Sequence, residues 1–267
     1  MHKPSSLHDY VVAISTAFFL TVFSGFYLYF RRGFMLNAPV GVDAFYVPNK
    51  VIANVGVLIL ALSFLFGPIV RYFDRFDAWL SYRKEIGIVG AFLAIFHGII
   101  SYFFLPQKYP SEYIDFSSLE FSAGLIGVSI LFFLFIISFK KAINLIGASR
   151  WWFLQRFGLR LAVMFALIHV YALKWNGWVK WLTEGALPSK ELAVTWLPGA
   201  SLLTALFITW VVIIRLYESA FLFKSFGLTT KEIALNIELK TRGRRFFVRS
   251  FLALIILYIL VLTRWVL

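Results

Sequence analysis

The chain of 267 residues contains no cysteine. Disulfides, thiolate metal sites, iron–sulfur clusters and cysteine nucleophiles are excluded with it, while the redox compartment stays undetermined. Charge is scarce as well. Asp, Glu, Lys and Arg make up 15% of the residues, against about a quarter in an ordinary soluble domain. Acidic residues are absent from the middle of the long apolar runs. That, with no obvious broken helix, argues against a transporter. With no cysteine and four histidines, it also argues against a zinc centre, which wants three or four protein ligands. No glycine-rich nucleotide fingerprint, fixed-period repeat or cleavable leader is visible.

What the chain has in quantity is apolar side chains, 61% of the total, with 19% aromatic. This composition reads as an integral membrane protein, an all-α polytopic membrane helix bundle. Seven runs are candidate spans: Tyr10–Phe30, Val51–Val70, Ile86–Phe104, Phe121–Phe139, Phe157–Tyr171, Val194–Ile214 and Phe247–Val266. The net charge of +13 comes mostly from residues flanking these runs, the signature of topology and not of nucleic-acid binding. Of 26 Lys and Arg, 18 fall on one side of the alternating connections and 8 on the other. The N-terminus is therefore expected inside and the C-terminus outside, in a bacterial cytoplasmic (inner) membrane, with spans three and five both running outward. The chain divides into a core over 1–217, a basic connection over 218–246 and an extra C-terminal span over 247–267. Within the connection, "KEIALNIELK" suits a short amphipathic surface helix.

Two of the four histidines, His2 and His8, lie in the polar N-terminal stub. The other two sit in apolar surroundings, "IFHGIISY" around His97 and "LIHVYALKW" around His169. Counted from the inner ends of their spans, His97 lies roughly 16 Å deep and His169 roughly 18 Å, at ~1.5 Å of rise per residue. Two imidazoles at matched depth on separate helices can ligate haem iron from opposite faces. Gly90 and Gly98 suit either clearance for the macrocycle or ordinary helix packing. The plainer alternative is that each histidine only hydrogen-bonds a neighbouring helix. Tyr102, Trp175, Trp178 and Trp181 read as an aromatic belt at the outer boundary. Glu112, Asp115 and Glu120 belong to the outer loop after span three.

Three stretches resemble the ferric reductase-like transmembrane domain family: "NVGVLILALSFLFGPIVRYF", "YRKEIGIVGAFLAIFHGIISY" and "WWFLQRFGLRLAVMFALIHVYALKW". The likeness runs over about Val51–Tyr217 and is to the stand-alone bacterial members, such as the haem subunit of the periplasmic methionine-sulfoxide reductase system. STEAP proteins and NADPH oxidases are more distantly similar. The resemblance implies a six-helix haem-binding core plus one added helix, with His97 and His169 as ligands of an outer haem b. Two-haem members carry a further histidine about four turns earlier on each helix. Those positions here are Arg83 and Gln155, so the resemblance implies one haem. At that inner level Arg83, Gln155, Arg156 and Arg160 either hold a flavin or quinone, as the flavin of one-haem STEAP proteins is held, or are only positive-inside charges. Lys174 either meets a haem propionate or is an ordinary interface lysine. The expectation is a b-type cytochrome. It would transfer single electrons from a quinol or reduced flavin to an extracytoplasmic redox partner or metal chelate, with a cytoplasmic flavin reductase as a further partner. The alternative is a haem-free membrane anchor or assembly subunit.

Overall fold

Lipid offers the backbone no hydrogen-bonding partner, so an apolar run must satisfy its own amides and carbonyls as a helix. The computed structural model describes residues 7–31, 46–104, 117–185, 197–222 and 230–264. It contains helices α1 (Leu7–Tyr29), α2 (Tyr46–Phe73), α3 (Asp77–Phe103), α4 (Leu119–Ile137), α5 (Lys140–Ile146), α6 (Ala148–Glu184), α7 (Ala200–Leu222) and α8 (Thr230–Thr263). Among the described residues there is no strand. Seven of these helices are long and apolar enough to cross a membrane. The seven-residue α5 is too short to span. The structure is an all-α polytopic membrane bundle.

Helix ends differ from the apolar runs because polar residues that favour helix prolong them on either side. The run expected over Phe157–Tyr171 lies inside α6, which has 37 residues and is about 55 Å long, nearly twice a bilayer core. The segment expected as a separate surface helix is instead the first part of α8. Lys, Glu, Ala and Leu there are good helix formers, and no proline interrupts the run into the span. Pro68 lies within α2, which continues to Phe73. The sixth expected span began at Val194, outside the described residues, and α7 starts at Ala200. Gly147, at φ 86°, makes the sharp turn between α5 and α6 that a residue with a Cβ rarely adopts.

Helices α2, α3, α4 and α6 form a four-sided bundle. α2 packs on α3, α3 on α4, α4 on α6, and α6 closes back on α2. Among the described residues α3 and α6, at opposite corners, make no backbone approach to each other. Glycines draw the edges together. A Cβ on Gly56 would lie 3.1 Å from the Ala94 nitrogen, and one on Gly90 would lie 2.9 Å from Leu60 Cγ. On the α4–α6 edge, Gly158 abuts Leu134 and Gly127 abuts Phe165. Gly98 faces Val128 of α4. Gly90 and Gly98 therefore serve helix packing.

Outside this bundle, α1 lies against α2 and α3, and α7 packs on α2 and α6. Trp178 and Trp181, expected in a lipid-facing belt, are 6% exposed and pack α6 against α7. The Trp178 indole N–H donates to Ser201 Oγ at 3.2 Å. Trp175 and Tyr102 are exposed, as a belt requires. α8 packs on α7 and α2. Asp74, in the turn between α2 and α3, pairs with Lys240 and Arg244 of α8. Arg244 Nε also donates to the Tyr72 carbonyl at 2.9 Å.

Gly90→Val tests the α2–α3 seam. Overpacking it is expected to cost about 1–3 kcal/mol and to lower the thermal unfolding midpoint followed by circular dichroism. Gly25 has nothing within 4 Å of a built Cβ, and Gly25→Val is expected to leave the midpoint unchanged. Equal effects would show that the seam is not tight.

Candidate functional site

An imidazole has two nitrogens, and a hydrogen bond at one decides what the other presents. His169 Nδ1 lies 2.6 Å from the Glu120 carbonyl oxygen in the first turn of α4. A carbonyl only accepts, so Nδ1 carries the proton and Nε2 keeps its lone pair. Gly124, one turn along α4, makes this geometry possible, since a Cβ there would stand 2.8 Å from Nδ1. His97 Nδ1 lies 2.9 Å from Asn49 Oδ1. The Asn49 amide nitrogen donates to Ser101 Oγ at 2.9 Å, which turns Oδ1 toward the histidine. His97 thus also holds its proton on Nδ1 and a lone pair on Nε2.

The contacts of α4 give the relative depth. Gly98, beside His97, faces Val128, while His169 faces Gly124. The two histidines therefore lie within about one helical turn of each other in depth, about 6 Å. They stand on the two helices that occupy opposite corners of the bundle and interact electrostatically. Lys174 is near enough to act on His169. Among the described residues no three His, Asp or Glu converge as a metal-binding group. Two imidazoles with free Nε2 atoms suit a macrocycle-held iron, which needs protein ligands only at its two axial positions.

Toward the other end of the bundle, Leu60, Ala91, Ala94, Leu131 and Ala162 form one buried apolar cluster drawn from all four helices. Beyond it lie the arginines. Arg83, Arg156 and Arg160 interact electrostatically with one another, and Arg83 and Arg160 also with Glu218. Gln155 is drawn toward α4, its amide nitrogen donating to the Leu134 carbonyl and to Ser138 Oγ, each at 3.0 Å. Arg156 lies over the Trp152 ring, 5.2 Å from its centroid. Glu218 takes Arg71 at Oε1, 2.9 Å away, and Arg215 at Oε2. Arg215 and Glu218 are 8% and 6% exposed. Gly67 gives the Arg215 guanidinium room, since a Cβ there would lie 3.1 Å from it.

Sequence reasoning passed over Asn49, Ser101, Gly124 and the Arg215–Glu218 pair. Asn49 precedes the expected start of span two, yet it is 3% exposed within α2. An asparagine abutting an apolar run was the available signal. Glu218 is a lone acid at the end of span six, three residues after an arginine. Of the outer-loop acids, Glu112 and Asp115 lie outside the described residues.

The class defined by this fold and site is a polytopic α-helical membrane protein with one hydrogen-bonded imidazole on each of two opposite-corner helices. Residues 52–164 match the family model described as ferric reductase like transmembrane component. That segment includes His97 and ends five residues before His169. No curated protein matches the chain.

Glu218→Leu tests the charge arrangement. It leaves Arg215 buried without its counter-ion, a change that typically costs about 3–5 kcal/mol. A marked fall in thermal midpoint is expected, with a smaller fall for Arg71→Leu, whose side chain is 52% exposed. Equal midpoints for Glu218→Leu and the unaltered protein would show that the pair carries no stability.

Proposed function

We propose that the protein is a membrane b-type cytochrome, with His97 and His169 as the axial ligands of one haem b. The observation that carries this reading is the pair of Nδ1 hydrogen bonds, which leaves both Nε2 atoms free on helices at opposite corners of the bundle. When bound between two imidazoles, haem supplies one-electron transfer and not oxygen binding, since both axial positions are filled. The chain's own residues do the rest. Asn49 and the Glu120 carbonyl fix the tautomer and the ring planes and raise the basicity of the ligating nitrogens. Lys174 offers a positive charge to a haem carboxylate. The packed cluster of Leu60, Ala91, Ala94, Leu131 and Ala162 separates the histidine level from the arginine level. Gln155 takes the place of an inner histidine, and Arg83, Arg156 and Arg160 present guanidinium groups to a flavin or quinone there.

The protein then transfers single electrons from a quinol or reduced flavin to an extracytoplasmic acceptor, a redox partner or a metal chelate. The arginine-rich end faces a bacterial cytoplasm, where a flavin reductase is a fitting partner. The ferric reductase-like segment supports electron transfer across the membrane. A second reading rests on the same hydrogen bonds. They tie α3 to α2 and α6 to α4, which is all that a haem-free anchor or assembly subunit would need.

A dithionite-reduced minus oxidised spectrum with haem quantified per chain separates the two readings. One b-type haem is expected, lost in His97→Ala and in His169→Ala and retained in Gln155→Ala. Absence of haem, with haem supplied during expression, would favour the anchor. Asn49→Ala is expected to weaken haem binding about 10–100-fold and to raise the midpoint potential, because an unbonded imidazole is the poorer electron donor. Unchanged affinity and potential would remove Asn49 from this role.

A further inference from the structure

At the arginine-rich end, α7 and α8 frame a cavity of about 300 Å3 lined by Tyr217, Arg242, Arg245, Phe246 and Arg249. Tyr217 and Phe246 stack at 4.0 Å between centroids and 9° between planes, forming an aromatic wall. Arg242 is engaged by Glu238. Arg245 and Arg249, one turn apart, are exposed and have no hydrogen bond or ion pair among the described residues. The same face of α8 then turns apolar. Leu252, Ile256 and Leu260 follow Arg249 at helical spacing, and they are 53%, 58% and 60% exposed. On α7, Ile213, one turn from Tyr217, is exposed too.

We propose that this cavity binds the phosphate of an anionic phospholipid. Arg245 and Arg249 supply fixed forks of N–H donors to the phosphate oxygens. The Tyr217–Phe246 pair walls the glycerol region, and the acyl chains lie along Leu252, Ile256 and Leu260. Basic pockets between spanning helices recognise such headgroups. The continuous exposed apolar strip favours a lipid over a soluble phosphate, which would have no use for it. Through α8 the lipid would brace the helix that meets α2 and α7.

The full-length protein in neutral detergent, titrated with phosphatidylglycerol and followed by native mass spectrometry, tests this. R245Q/R249Q is expected to bind roughly 30-fold more weakly. R75Q/R150Q removes the same charge at the same end of the bundle and is expected to stay within about twofold. Millimolar inorganic phosphate is expected not to compete. Equal weakening in both double variants, or none in R245Q/R249Q, would overturn the site. Full competition by inorganic phosphate would overturn its lipid assignment. Should R245Q/R249Q lose helicity, the single variant R249Q decides, with a weakening of roughly fivefold expected.

Discussion

The hydrogen bond that His97 and His169 each make through Nδ1 is the constraint on which the candidate site depends. An imidazole in lipid surroundings must place its N–H against an acceptor. Here the acceptors are a backbone carbonyl at the start of α4 and a carboxamide oxygen near the start of α2. The backbone carbonyl is available because the first turn of α4 brings it beside α6, and because Gly124 keeps a side chain out of the way. The carboxamide is oriented by Ser101, one turn after His97 on α3. Each histidine is thus fixed by the helix beside it. The two free Nε2 atoms belong to α3 and α6, the pair that the bundle keeps apart.

Polarity changes sharply along the bundle. The histidine level holds neutral polar groups. The next level holds a buried cluster of small and branched apolar side chains, and the level after that gathers Arg83, Arg160 and Arg215 around Glu218, with Arg156 beside Arg83 and Arg160. Such a concentration of guanidinium would repel itself without a counter-ion, and Glu218 supplies one from a buried position. Its two carboxylate oxygens divide between Arg71 of α2 and Arg215 of α7, which also pins α2 to α7. The pattern suits a protein whose two ends meet different chemistry.

Much of this was legible in the sequence. Length and apolarity placed seven spans, and two lone histidines in apolar runs marked their helices. What escaped depended on neighbours distant in the chain. Asn49 lies 48 residues from His97 and meets it only through the α2–α3 packing. Glu120 acts through its backbone, which no side-chain pattern announces. Gly90 and Gly98 look alike beside a histidine, and only the packed helices show that Leu60 and Val128 fill the space beside them. Trp178 and Trp181 fit a lipid belt by position, yet the length of α6 carries them against α7. Apolar periodicity reports burial without saying whether lipid or protein does the burying.

The most direct test of paired histidine ligation is the electron paramagnetic resonance spectrum of the oxidised, haem-loaded protein. Two imidazoles on one ferric iron predict a low-spin signal that turns high-spin, or disappears with the haem, in His97→Ala and in His169→Ala. A high-spin signal from the unaltered protein, or a low-spin signal indifferent to both substitutions, would contradict the account.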